Sequence, residues 1–101
     1  MYGTVARMRM KPGAEERLNA LLREYENLRI PGYRSTYVYR MDADPREAYV
    51  VVMFDSKESY DRNADSPEQD NRYREMLTLL EAEPEWHDGE ILTFSATGAP
   101  A

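Results

Sequence analysis

The segment Ala48–Phe54 (AYVVVMF) places seven apolar or aromatic residues in a row. The run is short for a helix and rich in β-branched and aromatic side chains, which predicts a strand that needs cover on both faces. Immediately downstream, Asp55, Ser56, Glu58 and Ser59 offer oxygens to the open N–H groups of a first helical turn. Ser66-Pro67-Glu68-Gln69 repeats the signal, with Ser66 as N-cap, Pro67 at the first helical position and Gln69 placed to reach back as in a capping box. In the helix that follows, Tyr73, Met76, Leu77 and Leu80 form one apolar stripe that must face the sheet, while Arg72, Arg74, Glu75 and Glu81 point to water. Helices therefore cover one face of the strand, and in so small a chain the expected cover for the other is a second copy.

The remaining segments supply a sheet around this unit. Tyr2–Met10 alternates, with Tyr2, Thr4, Ala6, Met8 and Met10 on one face, and Lys11-Pro12-Gly13 ends it. Leu18, Leu21, Leu22, Tyr25 and Leu28 predict a helix of about four turns from Ala14, closed by Pro31-Gly32. Tyr33–Met41 alternates again and is separated from the Ala48 strand by Asp42, Asp44 and Pro45, the pattern of a hairpin. Trp86–Phe94 reads as a last strand with an irregular start at Asp88-Gly89. The order β-α-β-β-α-β predicts an α+β, ferredoxin-like fold: a four-stranded antiparallel sheet with two helices on one face. With 101 residues the chain fits one domain, expected over residues 1–95, followed by a flexible tail over 96–101. Val5, Val38 and one alternate set of Ala48–Phe54 are expected on the open face, packed against a partner in a homodimer.

Composition removes several classes of function. Thirteen basic against nineteen acidic residues give a net charge of -6, which disfavours nucleic acid and anionic membranes. The absence of Cys excludes thiol chemistry and thiolate metal sites, and a single His, His87, excludes an imidazole-rich centre, so no metal is expected. The N-terminus lacks the apolar core of a signal peptide and no stretch reaches the roughly 20 apolar residues of a transmembrane helix, so a soluble cytoplasmic protein is expected.

Eight Tyr residues are the most prominent candidates for a site. Tyr2, Tyr37, Tyr39, Tyr49, Tyr60 and Tyr73 fall on elements that converge on one sheet, and rings with hydroxyl handles suit a pocket for a flat, partly polar organic molecule. The competing reading is that they fill the core and the dimer interface, because sheets favour Tyr in any case. Trp86 and Met76 join them as candidate ligand contacts. His87 invites a general-base reading, but neighbours in a strand point to opposite faces, so Asp88 would not meet it and a rim role is expected. Asn63 can donate to an oxyanion, or act only as a turn residue. Ser56, Ser59 and Ser66 have no His in reach for hydrolase chemistry.

The Lys11-Pro12-Gly13 turn, MFDSKESYDRNADSPE and RYREMLTLLEAEPEWHDGEILTF resemble the antibiotic biosynthesis monooxygenase domain family, of the dimeric α/β-barrel superfamily, over about residues 2–94. The resemblance implies a homodimer formed through the sheet face, and for some members a cofactor-free monooxygenase acting on an aromatic, polyketide-like or quinol substrate. Heme-degrading members carry an Asn on the first strand, a Trp near the helix junction and a His on the long helix, where this chain has Ala6, Asn63 and Tyr73. Other members carry a His just before the Ser-Pro cap, again at Asn63. Under the resemblance, Tyr73, Asn63 and Tyr37 are the expected catalytic donors, and Tyr2, Tyr39, Tyr60, Met76, Trp86 and His87 the expected ligand contacts. The alternative is a non-catalytic ligand-binding or scaffold homodimer of the same fold.

Overall fold

The computed structural model describes residues 1–97. Four strands, β1 (Tyr2–Arg9), β2 (Tyr33–Arg40), β3 (Glu47–Phe54) and β4 (Glu85–Glu90), form one antiparallel sheet in the order β2-β3-β1-β4. Helix α1 (Glu15–Arg23) fills the first crossover, and α2 (Lys57–Ala64) and α3 (Pro67–Leu77) fill the second. This is the ferredoxin-like arrangement predicted by the element order.

Both cap signals in the second crossover are used, which divides that connection into two helices. Ser56 and Ser59 form a complete capping box at the start of α2. At the start of α3 the Ser66 hydroxyl accepts from the Gln69 backbone N–H, but the Gln69 side chain turns inward instead of reaching back. The core lies between sheet and helices: Ala6, Met8 and Met10 from the first strand segment, Ala48 and Val50 from β3, Leu18, Leu21 and Leu22 from α1, and Met76 and Leu80 from the last helical stretch. Ala6 and Ala48 leave room for the bulkier helical side chains that close over them.

Two boundaries fall several residues short of the sequence expectation. The first helix stays α-helical only to Arg23 and tightens to a 3-10 turn at Glu24–Asn27. β4 ends at Glu90 instead of Phe94, because it pairs only with β1 and that ladder stops at Tyr2–Glu90, with one further bond from Ile91 N–H to the Met1 carbonyl. Leu92 and Phe94 are consequently exposed. Of the tail expected over residues 96–101, residues 98–101 lie outside the described residues.

β2 departs from the expected alternation at its second residue. Tyr33 pairs with Phe54, but the next partner of Met53 is Ser35, so Arg34 is an extra residue in the strand. An inserted residue moves every later side chain to the opposite face. Tyr33 therefore packs under the helices against Tyr25 and Phe54, whereas Tyr37 and Tyr39 stand on the open face opposite Val51 and Tyr49. Val38, expected on the open face, pairs with the buried Val50 instead. One open-face row thus runs His87, Val5, Val51, Tyr37 across all four strands.

Gly3 of β1 lies against the backbone of β3, and a Cβ there would collide with the carbonyl oxygen of Val52. Gly3→Ala is expected to destabilise the fold by about 1–3 kcal/mol through overpacking at the centre of the sheet. Urea unfolding with an unchanged midpoint would show that the strands separate more freely than this register allows.

Candidate functional site

A cavity of about 420 Å³ opens between the helix-covered face of the sheet and α2–α3, within the range of small-molecule sites. Its walls follow from the strand registers. Thr4 and Met8 of β1, Val50, Val52 and Phe54 of β3, and Trp86 and Asp88 of β4 all project to this face. Leu22 and Tyr25 close it from the first crossover, and Tyr60, Asn63, Gln69, Tyr73 and Met76 from the second.

The hydrogen bonds around α2–α3 decide which polar atoms remain free. Arg72 donates from Nε to Gln69 Oε1 at 3.1 Å and from a terminal nitrogen to Asn63 Oδ1 at 3.4 Å, and the Tyr25 hydroxyl also donates to Gln69 Oε1 at 2.8 Å. Arginine can only donate, so both amide oxygens turn toward it and both amide nitrogens remain as donors. The Tyr73 ring packs against Trp86, with centroids 6.0 Å apart and planes tilted by 51°. Two side-chain amides, a phenol and an indole thus gather beside an apolar wall, a set suited to holding a flat ring and the oxygen atoms attached to it.

The cavity wall also carries acidic groups. Thr4 and Asp88 are direct cross-strand partners, and the Tyr60 hydroxyl donates to Asp88 Oδ1 at 2.9 Å. The Thr4 hydroxyl is buried without a hydrogen-bond partner. Burial, and then the carboxylate of Asp88, push the ionisation of Tyr60 well above the usual phenol range, so its hydroxyl stays protonated. Asp61 and Asp70 also lie on the wall, paired with Lys57 and Arg74 respectively.

The candidates divide by face. Asn63, Tyr60, Tyr73, Met76 and Trp86 meet in the cavity. Tyr37, Tyr39 and His87 do not: they lie on the other side of the sheet, and the His87 ring engages Glu85 at 2.8 Å there. For the two tyrosines the cause is the extra residue in β2, and for His87 it is the pairing with Val5. Tyr2 stands outside the cavity, edge-on to Tyr60 with ring centroids 5.3 Å apart. Tyr25, Phe54, Gln69 and Asp88 were not singled out by sequence. Gln69 looked committed to capping, and Asp88 sits in a strand that looked irregular at that point. Among the described residues no group of His or carboxylate side chains is arranged to hold a metal ion, and no helix is long and apolar enough to cross a membrane.

A family model for antibiotic biosynthesis monooxygenases matches residues 1–74, most of the chain. The chain belongs to the antibiotic biosynthesis monooxygenase family. Among solved structures, a presumptive member from Chloroflexus aurantiacus J-10-fl is 27% identical, covers 96% of this chain and 98% of its own, and superposes with a TM-score of 0.76. Rv0793 from Mycobacterium tuberculosis is 22% identical over 94% of this chain and 98% of its own, with a TM-score of 0.74. SnoaB, a cofactor-independent oxygenase from Streptomyces nogalater solved as an Asn-to-Ala variant, is 12% identical over 92% of this chain and 94% of its own, with a TM-score of 0.77. At the last two identities the likeness is one of fold. No curated protein matches the sequence significantly.

The Tyr60–Asp88 pair in this family member gives a pH prediction. Below the ordinary phenol pKa of about 10 Tyr60 is protonated whether the chain is folded or not, so it adds no pH dependence. Above that value the unfolded chain loses the proton first, and stability falls with rising pH. Tyr60→Phe is expected to flatten this decline above about pH 10, read as the difference in urea midpoint between wild type and variant; parallel profiles would show that the hydroxyl is not held in its neutral form.

Proposed function

We propose that this family member is a cofactor-independent monooxygenase that binds an aromatic, polyketide-like or quinol molecule between sheet and helices. The observation that carries the reading is the convergence of Asn63 and Tyr73 on one cavity walled by Trp86, Phe54 and Met76. Oxygenation without a cofactor draws its electrons from the substrate, so the site must stabilise the substrate as an electron-rich anion. Fixed amide and phenol donors aimed at its oxygen lower the energy of that anion, because they are already oriented when charge develops. One oxygen atom then enters the ring system as it is oxidised to the quinone level, and the other leaves as water. The fold shared with SnoaB supports this reading.

Oxygen uptake with hydroxynaphthoquinones and quinols tests it. Turnover is expected in metal-free buffer, reduced about 100-fold in Asn63→Ala and in Tyr73→Phe, the usual size of effect for removing one oxyanion donor. A panel that is neither bound nor turned over would sink the reading.

One observation favours a second reading, a binding protein that performs no oxygenation. Asp88 reaches the cavity with a neutral phenol as its hydrogen-bond partner, and an uncompensated carboxylate there raises the energy of any substrate anion. On this reading Asn63→Ala and Tyr73→Phe change only affinity and stability.

The functional unit on either reading is a homodimer formed through the open face. Val5, Tyr37 and Tyr39 stand 40%, 48% and 53% exposed, and a face of four strands is large enough for a standard interface of roughly 800 Å² per partner. Val51→Glu, at the middle of that face, is expected to remove the dimer and lower folded yield. Light scattering at micromolar concentration checks this: a cooperative wild-type monomer would exclude the interface.

A further inference from the structure

A second groove, of about 340 Å³, lies on the outer side of the α2–α3 junction, between the Leu28–Pro31 turn and the first turn of α3. Asn63 lines both this groove and the cavity. Arg29, Arg62 and Arg72 also line the groove, with Glu68 as the one carboxylate on its wall. Eight of the thirteen basic side chains lie within 4.0 Å of a carboxylate. Among the described residues five have none, Lys11, Arg23, Arg29, Arg62 and Arg72, and three of those five meet here. In a chain with six surplus negative charges, this groove gathers three guanidinium groups with one carboxylate, Glu68, on its wall. Their mutual repulsion is relieved by an anion.

Two details strengthen the assignment. Arg29 has φ of 52°, the one non-glycine residue with positive φ among the described residues. It stands just past a helical turn, where glycine or asparagine is usual. Keeping a long cationic side chain in that strained position is favoured when the side chain has a use. Arg72 spends two of its donors on neutral amide oxygens and stacks over Tyr25 at 5.4 Å, so its orientation is fixed while its charge stays unpaired. The start of α3 adds partial positive charge.

We infer that this groove is an anion subsite that receives a carboxylate or phosphate group carried by the same molecule whose aromatic body occupies the cavity. Bidentate guanidinium recognition suits either oxyanion. The link to the cavity rests on the proposed ligand reading, whereas the anion site itself rests on the arginines alone. The geometry thus assigns a polarity to the ligand: acidic substituent at the arginines, hydroxyl-bearing rings toward Tyr73 and Trp86.

The test compares 2-naphthol with 6-hydroxy-2-naphthoate by quenching of Trp86, the single tryptophan, at low salt, with inorganic phosphate as a separate probe. The naphthoate is expected to bind at least about tenfold more tightly, as charge-assisted hydrogen bonds would give. That margin should vanish in Arg62→Ala, in Arg29→Gly and at about 0.5 M salt, where exposed charges are screened, with naphthol affinity unchanged. Arg29→Gly should keep or raise the unfolding midpoint, since glycine relieves the positive φ, so lost binding there is not lost folding. No margin in wild type, or a margin that survives both variants, overturns the subsite. Phosphate that shifts the groove arginine signals in NMR yet leaves the naphthoate margin intact shows a free-anion site and overturns the link to the cavity. Should neither aromatic bind, the cavity reading fails, and the absence of phosphate shifts would then overturn the anion site as well. Binding without oxygen uptake would count against the oxygenase reading and not against the subsite.

Discussion

The antiparallel pairing of β1 with β3 is the contact on which the rest of the fold depends. These two strands occupy the centre of the sheet, and their register, Val5 against Val51 and Ala6 against Val50, determines which residues face the helices and which face away. The small side chain of Ala6 and the beta-branched Val50 are both essentially inaccessible, so α1 and α3 can bring Leu18, Leu22 and Met76 down onto them. Burying this set in one layer is what offsets the entropy of ordering so short a chain. A slip of β3 by one residue against β1 would place Val51 under the helices and expose Val50, reversing the faces of β3 while β1 kept its own. The close approach at Gly3 opposes such a slip, because most other residues would bring a Cβ against the β3 backbone.

Much of this was legible in the residue pattern, and the failures have identifiable causes. The unbroken apolar run of β3 and the alternation of β1 announced a sheet covered on one side, and the two Ser caps announced two helices where the element order alone required one. Gln69 shows the limit of such signals: a residue suited to a capping box was drawn inward by Tyr25 and Arg72, whose donors outcompete the N-cap amide. β2 shows another. Its alternation Tyr33, Ser35, Tyr37, Tyr39 looked continuous, and nothing in the composition marks Arg34 as the extra residue. The strand bends there because Tyr33 is held under the helices by Tyr25 and Phe54, a constraint that exists only once the tertiary structure has formed. Tyr37 and Tyr39 were assigned to the cavity on a pattern that was locally correct and globally shifted by one.

The site inherits its electrostatic asymmetry from this layering. Carboxylates reach the cavity from α2, α3 and β4, but Asp61 and Asp70 each meet a cation four residues away on their own helix, which leaves Asp88 as the wall carboxylate held by a neutral group. Three of the five cations without acidic partners, Arg29, Arg62 and Arg72, collect outside, at the helix junction. A charged ligand group would therefore meet opposite environments in the cavity and in the groove, whose linings share Asn63. Such a gradient orients a molecule more effectively than it raises affinity, since complementary charge discriminates between binding poses while its desolvation offsets much of the gain.

The break between α2 and α3 brings these features together. A single helix continuing from α2 would have kept Asn63 in a regular surface position and carried residues 67–77 away from the sheet. Instead the chain stops at Ala64, and Ser66 accepts from the new helix while its own hydroxyl donates back to the Asn63 carbonyl at 2.8 Å. That reciprocal cap fixes the last turn of one helix to the first turn of the next, and Pro67, which has no N–H to satisfy, fits the first position of α3 at no cost in hydrogen bonding. Asn63 is thereby held at the corner, its oxygen turned to Arg72 and its nitrogen left over. A local capping arrangement, written in four consecutive residues, is what allows one side chain to border both the aromatic cavity and the arginine groove.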